Sequence, residues 1–183
     1  MRSWFASLLW LSACVLSAQT PAPEAASEQS PVKILAIRAI PASVTPSGPA
    51  WTKLLVDFEV NRPWIDGLQI SLIALIGDGS KDRPFSLLTG LIRHLNVPQG
   101  KSTSVLFISP NTTARFGSVA AVHADIYLND RIVSSLDWFG KGAKPDANWM
   151  AIYDRKEGAL LPITATPWLT VEYDKYPDIL LGR

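Results

Sequence analysis

The stretch Lys53-Leu54-Leu55-Val56-Asp57-Phe58-Glu59-Val60 decides how this chain is read. Leu54, Val56, Phe58 and Val60 alternate with Lys53, Asp57 and Glu59, a period of two that gives an extended strand one dry face and one wet face. A helix would need its apolar positions three and four apart. The same period recurs outward from this point. Val32 to Ile40 is a β-branched run. Leu68, Ile70, Leu72, Ala74 and Ile76 form a dry face against Gln69 and Ser71, while Ile73 and Leu75 extend burial to the other side. Phe85 to Val97, interrupted near Gly90, reads as one bent strand or two short ones, and Ser102 to Ser109 as a further strand. Ser118 to Leu128 and Arg131 to Trp138 flank Asn129-Asp130, residues that tolerate left-handed backbone, and this predicts a hairpin.

About seven strands result, separated by turn signals such as Gly77-Asp78-Gly79-Ser80 and Pro98-Gln99-Gly100-Lys101, with no amphipathic helix between them. Parallel sheets need long crossovers, usually helical. The expected fold is therefore all-β, a two-layer antiparallel sandwich, with a closed barrel as the alternative. An immunoglobulin-sized sandwich takes roughly 100 residues, which 31–138 supply. Residues 139–183 then form a C-terminal extension that packs on the sandwich or adds edge strands, covering an edge that would otherwise template pairing with another chain.

At the other end, Met1-Arg2 precedes the uncharged apolar run Trp4 to Leu11 and small residues through Ala18. This is the pattern of an export signal over 1–18, shorter than the roughly 20 apolar residues of a membrane span. Cleavage after Ala18 leaves Gln19 first. The alternative uses Leu11-Ser12-Ala13-Cys14, which looks like a bacterial lipobox, and makes Cys14 a lipid anchor. Residues 19–30 (QTPAPEAASEQS) cannot bury enough apolar area to order themselves and read as a disordered tether. The expected location is the periplasm, the outer membrane or the cell surface. Cys14 is the only cysteine, so the folded part lacks a disulfide and must be held by burial. The chain has 17 basic and 16 acidic residues. Loss of Arg2 with the signal leaves the mature chain formally neutral, without the basic footprint of a nucleic-acid binder.

Residues for catalysis are sparse. His94 and His123 sit inside apolar strands, with no His-x-His or HExxH spacing, and read as structural histidines rather than zinc ligands. No G-x-S-x-G elbow occurs. Asp78, Ser80 and Asp82 alternate like the start of a calcium loop, but Arg83 stands where glycine is required and Thr89 where a bidentate glutamate is required, so a solvated turn is expected. Asp57 and Glu59 share one wet strand face instead of facing each other across a cleft. The reading is a non-enzyme with no cofactor and no metal. Five tryptophans follow the signal: Trp51, Trp64, Trp138, Trp149 and Trp168. Trp138 closes a strand and is expected in the core. Trp51, Trp64 and Trp168 lie near prolines and strand ends, and they form a possible binding surface.

Three segments carry a family resemblance: PVKILAIRAIPA at 31–42, VHADIYLNDRIVSSLDW at 122–138, and LLPITATPWLTVEYDKYPDI at 160–179 with its Thr-Pro-Trp and Tyr-Asp-Lys-Tyr elements. Together they resemble small exported Ig-like envelope proteins of Verrucomicrobia that are associated with a type IV pilus and secretin gene cluster. The resemblance implies an Ig-like topology and a cell-envelope or pilus-associated role, and it carries over no functional residue. Two functions are weighed. The first is a non-catalytic envelope or surface interaction domain that docks to an envelope or pilus-associated protein through a sheet edge or the tail. The second is a carbohydrate-binding module that stacks glycans on Trp51, Trp64 or Trp168.

Overall fold

Alternation of inward and outward side chains builds nine strands in two layers among the residues described in a computed structural model, which are 30–143, 145–172 and 174–177. The export signal, the tether up to residue 29, and Tyr173, Asp178 and Ile179 of the C-terminal motif lie outside the described residues. The strands are β1 (Val32–Ala42), β2 (Trp51–Ile65), β3 (Leu68–Ile76), β4 (Ser86–His94), β5 (Val97–Ile108), β6 (Val119–Leu128), β7 (Arg131–Phe139), β8 (Arg155–Glu157) and β9 (Leu160–Pro162). One sheet has the order β1-β2-β5-β9, the other β7-β6-β3-β4-β8.

The main core lies between the sheets. Leu54, Val56, Phe58 and Val60 of β2 face Leu68, Ile70, Leu72, Ala74 and Ile76 of β3, all of them buried. Each large side chain of this kind contributes roughly 1.5–3 kcal/mol on leaving water. Asn129 and Asp130 both take positive φ (50° and 60°) and join β6 to β7 in a two-residue hairpin, as their residue types predict. Within Phe85 to Val97, Ser86–His94 form one continuous strand, β4, Asn96 makes the turn and Val97 opens β5.

Three features depart from the sequence reading. Pro98-Gln99-Gly100-Lys101, read as a turn, lies inside β5 and pairs with β2, and the reversal falls at Asn96 instead. Pro110–Phe116 forms a helix, α1, where a simple connection was expected. Ser109 caps it by accepting a hydrogen bond from the Thr112 backbone N–H (3.1 Å), and Pro110 takes a first-turn position where its missing N–H costs nothing. The pairing is also not wholly antiparallel, because β8 runs parallel to β4.

The C-terminal extension wraps both layers. Strand β8 extends the edge of one sheet beside β4, and β9 extends the other beside β5. A one-turn helix, α2 (Trp149–Ile152), buries Trp149 against Leu75, Leu87 and Ala121 on the outer face of the second sheet. Gly90 of β4 meets the extension at Leu160 of β9. A Cβ there would lie 2.7 Å from both Leu106 Cδ1 and Leu160 Cβ, so only glycine lets β4 approach β9 across the sandwich. Gly90→Val should therefore destabilise the fold by about 1–3 kcal/mol through overpacking, measured by urea unfolding. An unchanged midpoint would show that β9 does not press on β4.

Candidate interaction surface

Outward side chains of the first sheet meet the C-terminal extension. Lys53, placed on the wet face of β2 by the sequence reading, is only 4% exposed, and Leu55 beside it is also buried. Opposite them on β5, Phe107 pairs with Lys53 and Val105 with Leu55. The turn of 3-10 helix at Ile163–Ala165 and the short helix α3 (Leu169–Glu172) close over this patch, burying Ile163 and Trp168 on it. The Trp168 ring stacks on Phe107 with centroids 5.9 Å apart. Lys53 Nζ sits 3.6 Å from the Trp168 ring centroid, a cation–π contact shielded from water.

Lys53 also donates a 2.6 Å hydrogen bond to Glu172 Oε2, while Lys175 Nζ (3.0 Å) and the Tyr176 hydroxyl (3.1 Å) donate to the same carboxylate. Burial alone would raise the Glu172 pKa, but these three donors outweigh it and hold the carboxyl below the ordinary glutamate value. Burial and the neighbouring Glu172 charge push the Tyr176 hydroxyl well above the usual tyrosine range, so it stays a donor. A cavity of about 280 Å³ beside the cluster is lined by Arg38, Ile40, Leu55, Thr103 and Tyr176 among others. Its cations are already matched: Arg38 makes two bonds to Asp57 (3.0 and 2.9 Å), and Lys53 and Lys175 share Glu172. The arrangement is a structural clamp on the tail.

The three tryptophans expected to form a binding surface are not brought together. Trp168 is 5% exposed and fills the clamp, which corrects its assignment to a surface: its ring is needed to cover Phe107 and Lys53. Trp51 is half-buried, with its ring at right angles to Phe107 (6.4 Å), so it borders the same cluster. Trp64 alone is open to solvent, at 56%, near the end of β2. The break in alternation at Leu55 was the signal that the outer face of this sheet is covered.

Histidines fall in two settings. His94 is fully buried, with Nε2 2.8 Å from Ser104 Oγ across the core. His123, on the outer face of the second sheet, lies between two carboxylates, with Nδ1 2.8 Å from Asp137 and Nε2 3.1 Å from Asp125. Asp78 accepts from the Ser80 backbone N–H and closes the 77–83 turn, and its pKa is lowered chiefly by its bonds to Ser80. Among the described residues no group of three or more His, Cys, Asp or Glu side chains is placed to hold a metal ion. None of the described helices is long and apolar enough to cross a membrane. The outer face of the second sheet is covered by Trp149 around Leu75, Leu87 and Ala121. Leu91 on β4 and Ile132 and Phe139 on β7 are 56%, 55% and 50% exposed on the same face, around the polar His123 group.

This architecture is that of an Ig-like β-sandwich, and a crystal structure of a protein from Akkermansia muciniphila shares it. That structure superposes with a TM-score of 0.64 at 20% identity, covering 82% of this chain and 93% of the other. A family model matches residues 46–181, and the chain belongs to that family, which is pilus-related. Comparison with curated proteins gives no match.

Removing Lys53 should strand the shielded Glu172 carboxylate and uncover the Trp168 ring. Lys53→Ala is expected to cost about 3 kcal/mol in urea unfolding at pH 7, the lower end for breaking a buried pair because Glu172 keeps some solvent. The stability that Glu172 adds is complete above the usual glutamate value of 4.5 and is lost as pH falls through its lower folded value. Glu172→Gln should therefore flatten the acid limb of the stability–pH curve, and an acid limb identical to the parent's would rule out the clamp's electrostatic part.

Proposed function

We propose that this protein is a non-catalytic interaction domain of the cell envelope that works beside a type IV pilus by holding another envelope or pilus protein. In this reading the signal at 1–18 sends the chain to the periplasm, outer membrane or cell surface, and the tether at 19–30 spaces the domain from its point of attachment. Membership of a pilus-related family supports the setting. The observation that carries the role is the outer face of the second sheet, where Leu91, Ile132 and Phe139 remain half exposed beyond the part that Trp149 of the extension covers. Large apolar side chains kept in water around a polar centre are typical of a surface that a partner covers.

Chemical cross-linking in intact cells, with identification of the captured chains, tests this. The expected result is a reproducible adduct with an envelope or pilus component, weakened when Leu91 and Ile132 are both replaced by Ser. Several cross-linking chemistries that all return no partner would overturn the reading.

A further inference from the structure

Strand β7 stands apart from the rest of the sandwich. None of its nine residues is buried, whereas its neighbour β6 buries Ala121, Val122, Ala124 and Ile126. Leu136 and Trp138 point inward and pack against the main core, yet they are only half covered. The reason is that β7 is the outermost strand of its sheet. The other strand on this side of the sandwich, β1, reaches it through side chains. The Ser30 hydroxyl shares its one proton between the Val32 (2.6 Å) and Val133 (2.7 Å) carbonyls, and the Ile34 backbone N–H donates to Ser134 Oγ (3.0 Å). Among the described residues no backbone-to-backbone hydrogen bond joins β1 to β7.

The phase of the β6–β7 ladder fixes which backbone groups are free. Gly140 N–H donates to the Ala120 carbonyl (2.8 Å), and the register continues through Val122 with Trp138, Ala124 with Leu136 and Ile126 with Ser134. In an antiparallel pair alternate residues turn their N–H and C=O toward the partner. Trp138, Leu136 and Ser134 therefore bond β6, while Phe139, Asp137 and Ser135 direct both groups away from the sheet. The Val133 carbonyl, which takes its bond from Ser30 on the outer side, has the same phase.

We infer that the Ser135–Phe139 edge of β7 receives an extended strand from a partner protein, which adds to the sheet, is apolar opposite Leu136 and Trp138, and is basic opposite Asp137. This rests on the proposed interaction role and names the surface that performs it. Three unpaired N–H and C=O sets supply the ladder, and the half-covered Leu136 and Trp138 supply the apolar contacts. Charge selects the partner: Asp137 and Asp125 share one imidazole, His123, so this border is acidic, and the Asp137 side chain is 47% exposed. A second copy of this chain is a poor occupant. Antiparallel pairing of β7 with itself would bring two Asp137 carboxylates opposite or diagonal to one another, which is destabilising. The remaining registers need the Val133 edge that Ser30 already occupies.

The test titrates the full mature protein with an end-blocked nine-residue peptide of alternating Val and Lys, and with its Val and Glu counterpart, and follows amide hydrogen exchange by NMR. Saturable slowing of at least tenfold at the Ser135, Asp137 and Phe139 amides with the Lys peptide, and much less with the Glu peptide, is the expected result. Ser135→Pro removes an N–H that points away from β6 and should abolish the slowing at Asp137 and Phe139, with Ser135→Ala as the control for the hydroxyl. Asp137→Lys, which leaves the ladder intact, should reverse the preference between the peptides. No slowing at these amides, slowing confined to β1, β8 or β9, or slowing that depends on protein concentration alone would overturn the inference. A silent edge in a protein that still captures a partner in cells would remove only the edge. Strand addition without any captured partner would remove the envelope role instead.

Discussion

Burial of both faces of β2 is the constraint on which the rest of the structure depends. Its inward residues, Leu54 to Val60 at every second position, meet the other sheet, and its outward Lys53 and Leu55 are covered by the returning tail. A strand in that position cannot tolerate an unpaired lysine, because a desolvated ammonium without a counter-charge is expensive. Glu172 and the face of Trp168 therefore follow from the placement of Lys53. The tail in this way covers the Lys53–Leu55 part of the first sheet's outer face, while Leu35 and Ile40 of β1 stay partly exposed.

The molecule treats its sheet edges unequally. Three-residue strands β8 and β9 finish one side, and short edge strands are poor templates for further pairing. Pro162 in β9 also removes a donor from that edge. The opposite side carries β1 and β7, eleven and nine residues long, bridged by two serine hydroxyls in place of a ladder. A protein that ends one side with short strands and leaves the other half-stitched has kept a place where backbone can be added.

Much of this fold was legible in the sequence, because a period of two and left-handed turn residues are local signals. The 53–60 alternation, the 68–76 run and the Asn129-Asp130 hairpin all lie where their patterns place them. Helix α1 was missed, because its seven residues carry no apolar stripe and no buried side chain, and only Ser109 followed by Pro110, a capping sequence, marks its start. Of the clamp, only the apolar Leu55 on the wet face was a local sign that something covers it. Lys53 looks like any solvated lysine on a wet face, and its partners lie 115 and 119 positions further along the chain, at Trp168 and Glu172, where no local pattern reports the encounter. Tryptophan beside proline fits a platform as well as a plug, and only the tertiary contact with Phe107 separates Trp168 from the exposed Trp64. The open edge of β7 likewise depends on what does not pair with it, which is a property of topology.

The central claim is that the C-terminal extension belongs to the same cooperative unit as the sandwich core. Native-state hydrogen exchange under increasing urea measures this directly. The amides of β9 that bond β5 should share the opening free energy and denaturant dependence of the β2 and β5 amides, as members of one unfolding unit. If β9 instead exchanged through a low-energy opening while β2 and β5 remained fully protected, the extension would be an appendage and the account would be contradicted.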